Sequence, residues 1–116
     1  MSREYCDYIL DELTPLRGVT AKKMFGGFGL FKGGLMFGII LDEVLYFKTG
    51  TSNRADYEAA KMEPFQYAAK GRTVTLSYWQ APPEALDDAD TLILWAEKAC
   101  LAAREAQDKK PKKRKS

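Results

Sequence analysis

Residues 24–48 read MFGGFGLFKGGLMFGIILDEVLYFK, and the fold follows from how that stretch is parsed. Glycines punctuate runs of Phe, Leu, Ile, Met and Tyr, the mixture of turn formers and large apolar residues that writes an antiparallel meander. Gly33 and Gly34 stand together between two apolar runs. Both can take the positive φ that a two-residue hairpin turn of a primed type needs. With that loop, Lys32 faces Leu35, Leu30 faces Phe37 and Phe28 faces Ile39, so Phe28, Leu30, Leu35, Phe37, Ile39 and Leu41 share one face. The other face receives Phe31, Met36 and Ile40, with gaps at Gly29 and Gly38. A second tight turn at Asp42 and Glu43 leads into a strand over 44–48 that adds Leu45 and Phe47. The sheet so predicted is apolar on both sides. An antiparallel sheet commonly leaves one face to water, so either helices cover both faces or one face is offered to a partner.

Outward from the meander, residues 3–13 place Tyr5, Ile9 and Leu13 at helical spacing with acids opposite, and Ser2 suits the N-cap. Thr14 and Pro15 stop that helix. Arg17, Lys22 and Lys23 then form a small basic cluster where the sheet begins, which suits a charged edge strand. After the meander, the loop at 49–53 ends in N-cap residues, and 54–61 reads as a short helix with Tyr57 and Ala60 inward. Phe65, Tyr67, Val74, Leu76 and Tyr78 alternate with Gln66, Thr73, Thr75 and Ser77 around a turn at Lys70 and Gly71, a second hairpin with one polar face. Tyr78 and Trp79 suit a core plug near the sheet's edge, with a stacking platform for bases as the other reading. Pro82 and Pro83 break the strand. From 89 to about 106, Leu92, Trp95, Ala99 and Ala103 make a narrow apolar stripe on a long helix, and Asp87, Asp88 and Asp90 suit its N-terminus. The expected architecture is α+β: a meander and a second hairpin, covered by the N-terminal and the long C-terminal helix. That covering would bring Cys6 and Cys100 into one region.

The chain's 116 residues suit one domain, and its 46% hydrophobic and 29% charged residues are those of an ordinary globular protein. No apolar run reaches membrane length and residues 1–15 do not resemble a signal peptide, so a cytoplasmic location is expected. Two cysteines far apart give neither a disulfide framework nor a zinc site. Histidine is absent, which excludes His-activated nucleophiles and the usual zinc ligands. The formal charge of +2 conceals an asymmetry. Residues 109–116, KKPKKRKS, hold six of 18 basic residues and no acid, leaving 12 basic against 16 acidic residues, a net of −4, over 1–108. We therefore expect a folded domain over 1–108 and a disordered basic tail over 109–116. The tail either serves solubility or, through Lys109, Lys110, Lys112, Lys113, Arg114 and Lys115, contacts nucleic-acid phosphates, with Arg17, Lys22 and Lys23 helping.

Gly26, Gly27 and Gly29 precede a strand rather than a helix, so neither a dinucleotide fingerprint nor a phosphate loop fits. The acidic pairs at 11–12, 42–43 and 87–88 have local roles in helix, turn and cap. No catalytic, cofactor or metal residues are expected, and an enzyme is not.

Taken in order, Met24, Phe25, Gly26, Gly27, then Gly29, Leu30, Phe31, then Met36, Phe37, Gly38, then Leu45, Tyr46, Phe47, Lys48 resemble the N-terminal domain of the TfoX/Sxy family. Pro64, Phe65 and Tyr67, then Ser77, Tyr78, Trp79, Pro82, and Leu86, Asp87, Asp88 with Trp95 extend the resemblance, which covers about 3–106. It implies an α+β domain around an antiparallel sheet and a bacterial regulator of natural competence. Such a protein assists transcription of DNA-uptake genes together with the cyclic-AMP receptor protein. Members that regulate competence typically add a helical C-terminal domain where this chain carries its basic tail. The leading expectation is a non-enzymatic interaction module that meets a protein partner through one apolar sheet face or edge. Phe25, Gly26, Gly27, Phe28, Gly29, Gly38 and Tyr46 are the candidate contacts, since glycine permits close approach. Direct nucleic-acid binding is the alternative; no basic recognition helix is written, so it would not be sequence-specific. Monomer and homodimer both fit.

Overall fold

The structure is a computed structural model that describes residues 3–24 and 26–109. Helix α1 (Arg3–Glu12) turns Cys6 and Ile9 inward and closes where the Thr14 hydroxyl donates to the Asp11 carbonyl at 2.7 Å. A meander follows: β1 (Val19–Met24), β2 (Gly27–Lys32), β3 (Leu35–Leu41) and β4 (Val44–Lys48). Helix α2 (Arg54–Ala59) leads to a second hairpin, β5 (Pro64–Ala69) and β6 (Arg72–Gln80). The short α3 (Pro83–Leu86) and the long α4 (Ala89–Lys109) close the described chain. All strands join one antiparallel sheet in the order β1-β2-β3-β4-β6-β5. The α+β expectation holds.

Three hairpin turns have positive φ at both central residues: Gly33 and Gly34 (61° and 83°), Asp42 and Glu43 (53° and 62°), Lys70 and Gly71 (52° and 79°). Type I′ turns require this, because their twist matches that of the flanking strands. The turn at Gly33 and Gly34 is where the sequence places it, and Lys32 pairs with Leu35 as expected. The register then slips. Phe31 pairs with Met36, but Leu30 pairs with Gly38 and Phe28 with Ile40, so Phe37 is the extra residue of a β-bulge. The slip reverses the pleat beyond it. Phe28, Leu30, Phe37, Ile40, Leu45 and Phe47 form the buried core face, while Ile39 and Leu41, expected beside Phe37, turn to the opposite side.

The helices lie on the core face. Helix α4 packs across β3 and β4 and touches α1, which leans on β1. Leu92, Ala96, Ala99 and Ala103 are buried in the contact, and Trp95, expected within the stripe, is half-buried, edge-on to Tyr57 at 4.8 Å. Cys6 is in this core and Cys100 borders it. Helix α4 runs three residues beyond the expected end and begins at an Asp88 cap, whose carboxylate accepts from the Thr91 N–H at 3.0 Å and hydroxyl at 2.8 Å. Asn53 does not cap α2 with its side chain. Instead its buried amide folds the preceding loop, accepting from the Gly50 N–H at 2.8 Å and donating to the Lys48 carbonyl at 3.0 Å. In that loop Gly50 sits close to α4, where a Cβ on it would stand 3.5 Å from the Ala102 side chain. Helix α2 ends at Ala59 rather than at 61, because Lys61 turns the chain out of the helix with a φ of 61°.

Candidate interaction surface

Among the described residues, no helix is long and apolar enough to cross a membrane. The surface that stands out is the sheet face turned away from the helices. Strand alternation puts Thr20, Lys22 and Met24 of β1 there, with Phe31 of β2, Met36, Ile39 and Leu41 of β3, and Val44 and Tyr46 of β4. From the second hairpin come Phe65, Tyr67, Val74 and Leu76. Tyr46 meets Phe65 edge-on at 5.0 Å, and Phe65 meets Tyr67 at 6.1 Å. Ile39, Leu41, Phe65, Tyr67 and Leu76 line an apolar groove of about 480 Å³. Ile39 is only 1% exposed at its floor, while Tyr67 on its rim is 46% exposed.

The hairpin β5–β6 is amphipathic, as its alternation writes. Its polar residues Gln66, Thr75 and Ser77 share the side of the helices, and the Gln66 amide donates to the Thr75 hydroxyl at 3.2 Å. Its apolar residues face the open side. Only Tyr78, Trp79 and Gln80 of β6 pair with β4, so the rest of the hairpin projects past the helix layer. Beside Thr75 a cavity of about 380 Å³ opens, bounded by Thr49, Arg54, Pro64, Thr75, Ser77 and Trp79. The Arg54 guanidinium is engaged, ion-paired to Glu58 at 3.4 Å and placed over the Trp79 ring at 5.6 Å.

The residues singled out from sequence do not form one surface. Gly27, Gly29 and Tyr46 belong to the open side, whereas Phe28 and Gly38 turn to the helices. Phe28 lies in the core under the Arg3 guanidinium, 5.2 Å from its ring, and a Cβ on Gly38 would meet Leu30 at 3.2 Å. A Cβ on Gly27 would collide with the Ile40 carbonyl of the neighbouring strand. Gly29 is roofed by side chains: a Cβ there would stand 2.8 Å from the Met36 sulfur, 2.9 Å from the Met24 sulfur and 3.1 Å from the Phe31 ring. Gly26 is exposed in the β1–β2 turn with φ +77°. Phe25, Lys110, Lys112, Lys113, Arg114, Lys115 and the Ser2 cap lie outside the described residues, and of Lys109 only the backbone, the last residue of α4, is described. The basic cluster divides too, for Lys22 sits over the Phe31 ring on the open side, 5.8 Å away, and Lys23 borders a cavity with Arg3 on the other.

The groove residues Ile39, Leu41, Phe65, Tyr67 and Leu76 carried no binding expectation. Their signal was present in the apolar alternation of the second hairpin, but its side could not be fixed without knowing which way that hairpin faces the helices. Burial raises two phenols of the sheet and both thiols. Burial raises the Tyr46 phenol, with Asp42 adding to it, and burial raises Tyr78 to about 12 while its hydroxyl donates to the Met36 carbonyl at 3.1 Å. Burial likewise raises the Cys6 thiol and lifts Cys100 to about 11, so both stay protonated near neutrality and neither is an activated nucleophile.

Among known families, the sequence model of the TfoX N-terminal domain matches residues 11–103, which span all six strands. No curated protein matches the chain.

Proposed function

The chain belongs to the TfoX N-terminal domain family, and on that footing we propose that it is a non-enzymatic regulatory module that binds a protein partner on its open sheet face. The observation that carries this reading is the apolar groove among Ile39, Leu41, Phe65, Tyr67 and Leu76, set in a face that no described helix covers. Contiguous exposed apolar surface of this kind marks interaction sites in soluble proteins. The family resemblance supports a partner in the transcription machinery, with the cyclic-AMP receptor protein first among those to test.

The test is calorimetric titration of the full chain into purified cyclic-AMP receptor protein and into RNA polymerase. Leu76→Lys, in the groove, abolishes binding, whereas Thr75→Lys, one residue away on the opposite side, preserves it. Equal behaviour of the two variants, or no heat with either partner, rejects the proposed surface or the proposed partners respectively.

A second reading rests on a separate observation, the six cations without an acid over 109–116. In it the terminal segment binds nucleic-acid phosphates and the domain is its carrier. Fluorescence anisotropy with labelled duplex DNA compares the full chain with one ending at Asp108, at about 50 and 200 mM salt, a range that costs several phosphate contacts orders of magnitude in affinity. Binding by the full chain alone, collapsing with salt, supports the arm. Absence of binding at both salts removes it.

A further inference from the structure

The sheet ends in two edges that are treated differently. The outer strand β1 carries Lys22 and Lys23, both exposed, and charge on an edge deters strand pairing. The outer strand β5, PFQYAA, has no charge along its length. Its hairpin geometry fixes which of its backbone groups are free. In a two-residue hairpin the residues flanking the loop exchange both hydrogen bonds, so Ala69 pairs inward with Arg72 and, two residues back, Tyr67 pairs inward with Val74. The N–H and C=O of Gln66 and Ala68 therefore point outward, on an exposed stretch where no described strand lies.

We propose that this edge binds a second copy of the same chain, β5 against β5, antiparallel about a twofold axis through Tyr67, which makes one twelve-stranded sheet. The sequence of the edge selects that partner and that register. A twofold axis normal to the sheet requires opposed residues to share a face. With Tyr67 on the axis, Gln66 of each copy lies opposite Ala68 of the other, and the four outward N–H groups meet four outward carbonyls. Centring on Gln66 would instead oppose Ala68 with Pro64, which has no N–H to give. The chosen register also brings together the ends of the strand, which are of opposite charge: Glu63 lies opposite Gly71 of the second copy, between its Lys70 and Arg72. A parallel arrangement would put like charges side by side. The two Tyr67 side chains meet on the open face as a non-hydrogen-bonded pair, the closer kind. Tyr67 is the rim of the groove, so its 46% exposure falls and the two grooves become continuous across the axis. The association does not depend on the groove's proposed role in binding another protein.

Sedimentation velocity on the full chain, from about 5 to 500 µM to cover a weak strand-edge contact, shows monomer converting to dimer. Ala68→Pro removes an outward N–H without touching the β5–β6 ladder, where proline on an edge is tolerated. It weakens the dimer about tenfold or more, since the twofold axis doubles every lost bond. Tyr67→Cys, in a chain with Cys100→Ser, forms an intermolecular disulfide on mild oxidation, because the paired Cα atoms fall at about 4.5 Å. Thr75→Cys in the same background still dimerises but forms no intermolecular disulfide. This second variant decides the matter if Ala68→Pro fails to fold. A monomer at every concentration, or a dimer that Ala68→Pro leaves unchanged and Tyr67→Cys does not cross-link, overturns the proposal.

Discussion

A Cβ at Gly27 would lie 2.1 Å from the Ile40 carbonyl oxygen, while one at Gly26 would meet nothing within 4 Å. The two neighbours are glycine for unrelated reasons, one for space and one for its φ of +77°. Gly27→Ala must push β2 from β3 and is expected to cost about 2–4 kcal/mol in urea unfolding, against about 1 kcal/mol for Gly26→Ala. Equal losses would show that β2 and β3 part readily. At Asp42 and Glu43 the chain holds positive φ with side chains that disfavour it. The double substitution Asp42→Asn with Glu43→Gly installs the preferred type I′ pair and raises stability by about 1 kcal/mol, read as a higher urea midpoint with unchanged slope. Tyr78 gives a pH signature. Its phenol is raised from 10.0 to about 12 by burial, and the Tyr57 phenol is raised by the same cause. Below pH 10 each is neutral folded or unfolded. Above it the unfolded chain releases protons that the folded chain keeps, so stability falls as pH rises toward 12. Urea midpoints should decline over that window, and Tyr78→Phe should make the decline shallower.

At the scale of elements, the legible part was whatever local chemistry dictates. Paired glycines located the first turn, alternation located the second hairpin, and helical spacing located α1 and α4. What stayed hidden were choices made by packing between elements. The bulge at Phe37 is one: nothing in LMFGIIL distinguishes a regular strand from one with an extra residue. Yet that residue decides whether Ile39 or Ile40 enters the core. The groove followed from the same choice, since Ile39 and Leu41 reach it only because the pleat reverses. Likewise the glycines looked like an approach surface because their spacing is visible in sequence, whereas the side chains of Met24, Phe31 and Met36 that roof Gly29 come from three strands. Deleting Phe37 would make the ladder regular, with Leu30 still opposite Gly38 and Phe28 still opposite Ile40. We expect it to lower the urea midpoint severely, by about 3 kcal/mol or more, because it removes a fully buried ring from the core.

At the scale of the whole molecule, helices gathered on one face leave a two-layer protein whose second hairpin shows water its polar side above the helices and its apolar side below the sheet. The strand order carries a last consequence, and it concerns time. Strands β1 to β4 lie in the sheet as they lie in the chain, each one turn from its neighbour, whereas Tyr46 reaches Gln80 only after 33 intervening residues have been set in place. Contacts close in sequence form first because little chain entropy is lost in closing them. The meander should nucleate and the second hairpin should dock late, carrying Trp79 onto Tyr57. Gly34→Ala, in a nucleating turn with φ +83°, is then expected to slow refolding, while Trp79→Phe mainly speeds unfolding. Stopped-flow chevrons would separate the two. Until that docking occurs, the facing edges of β4 and β6 are unpaired, and the interval between the two events is the period in which a nascent chain is most exposed to its neighbours.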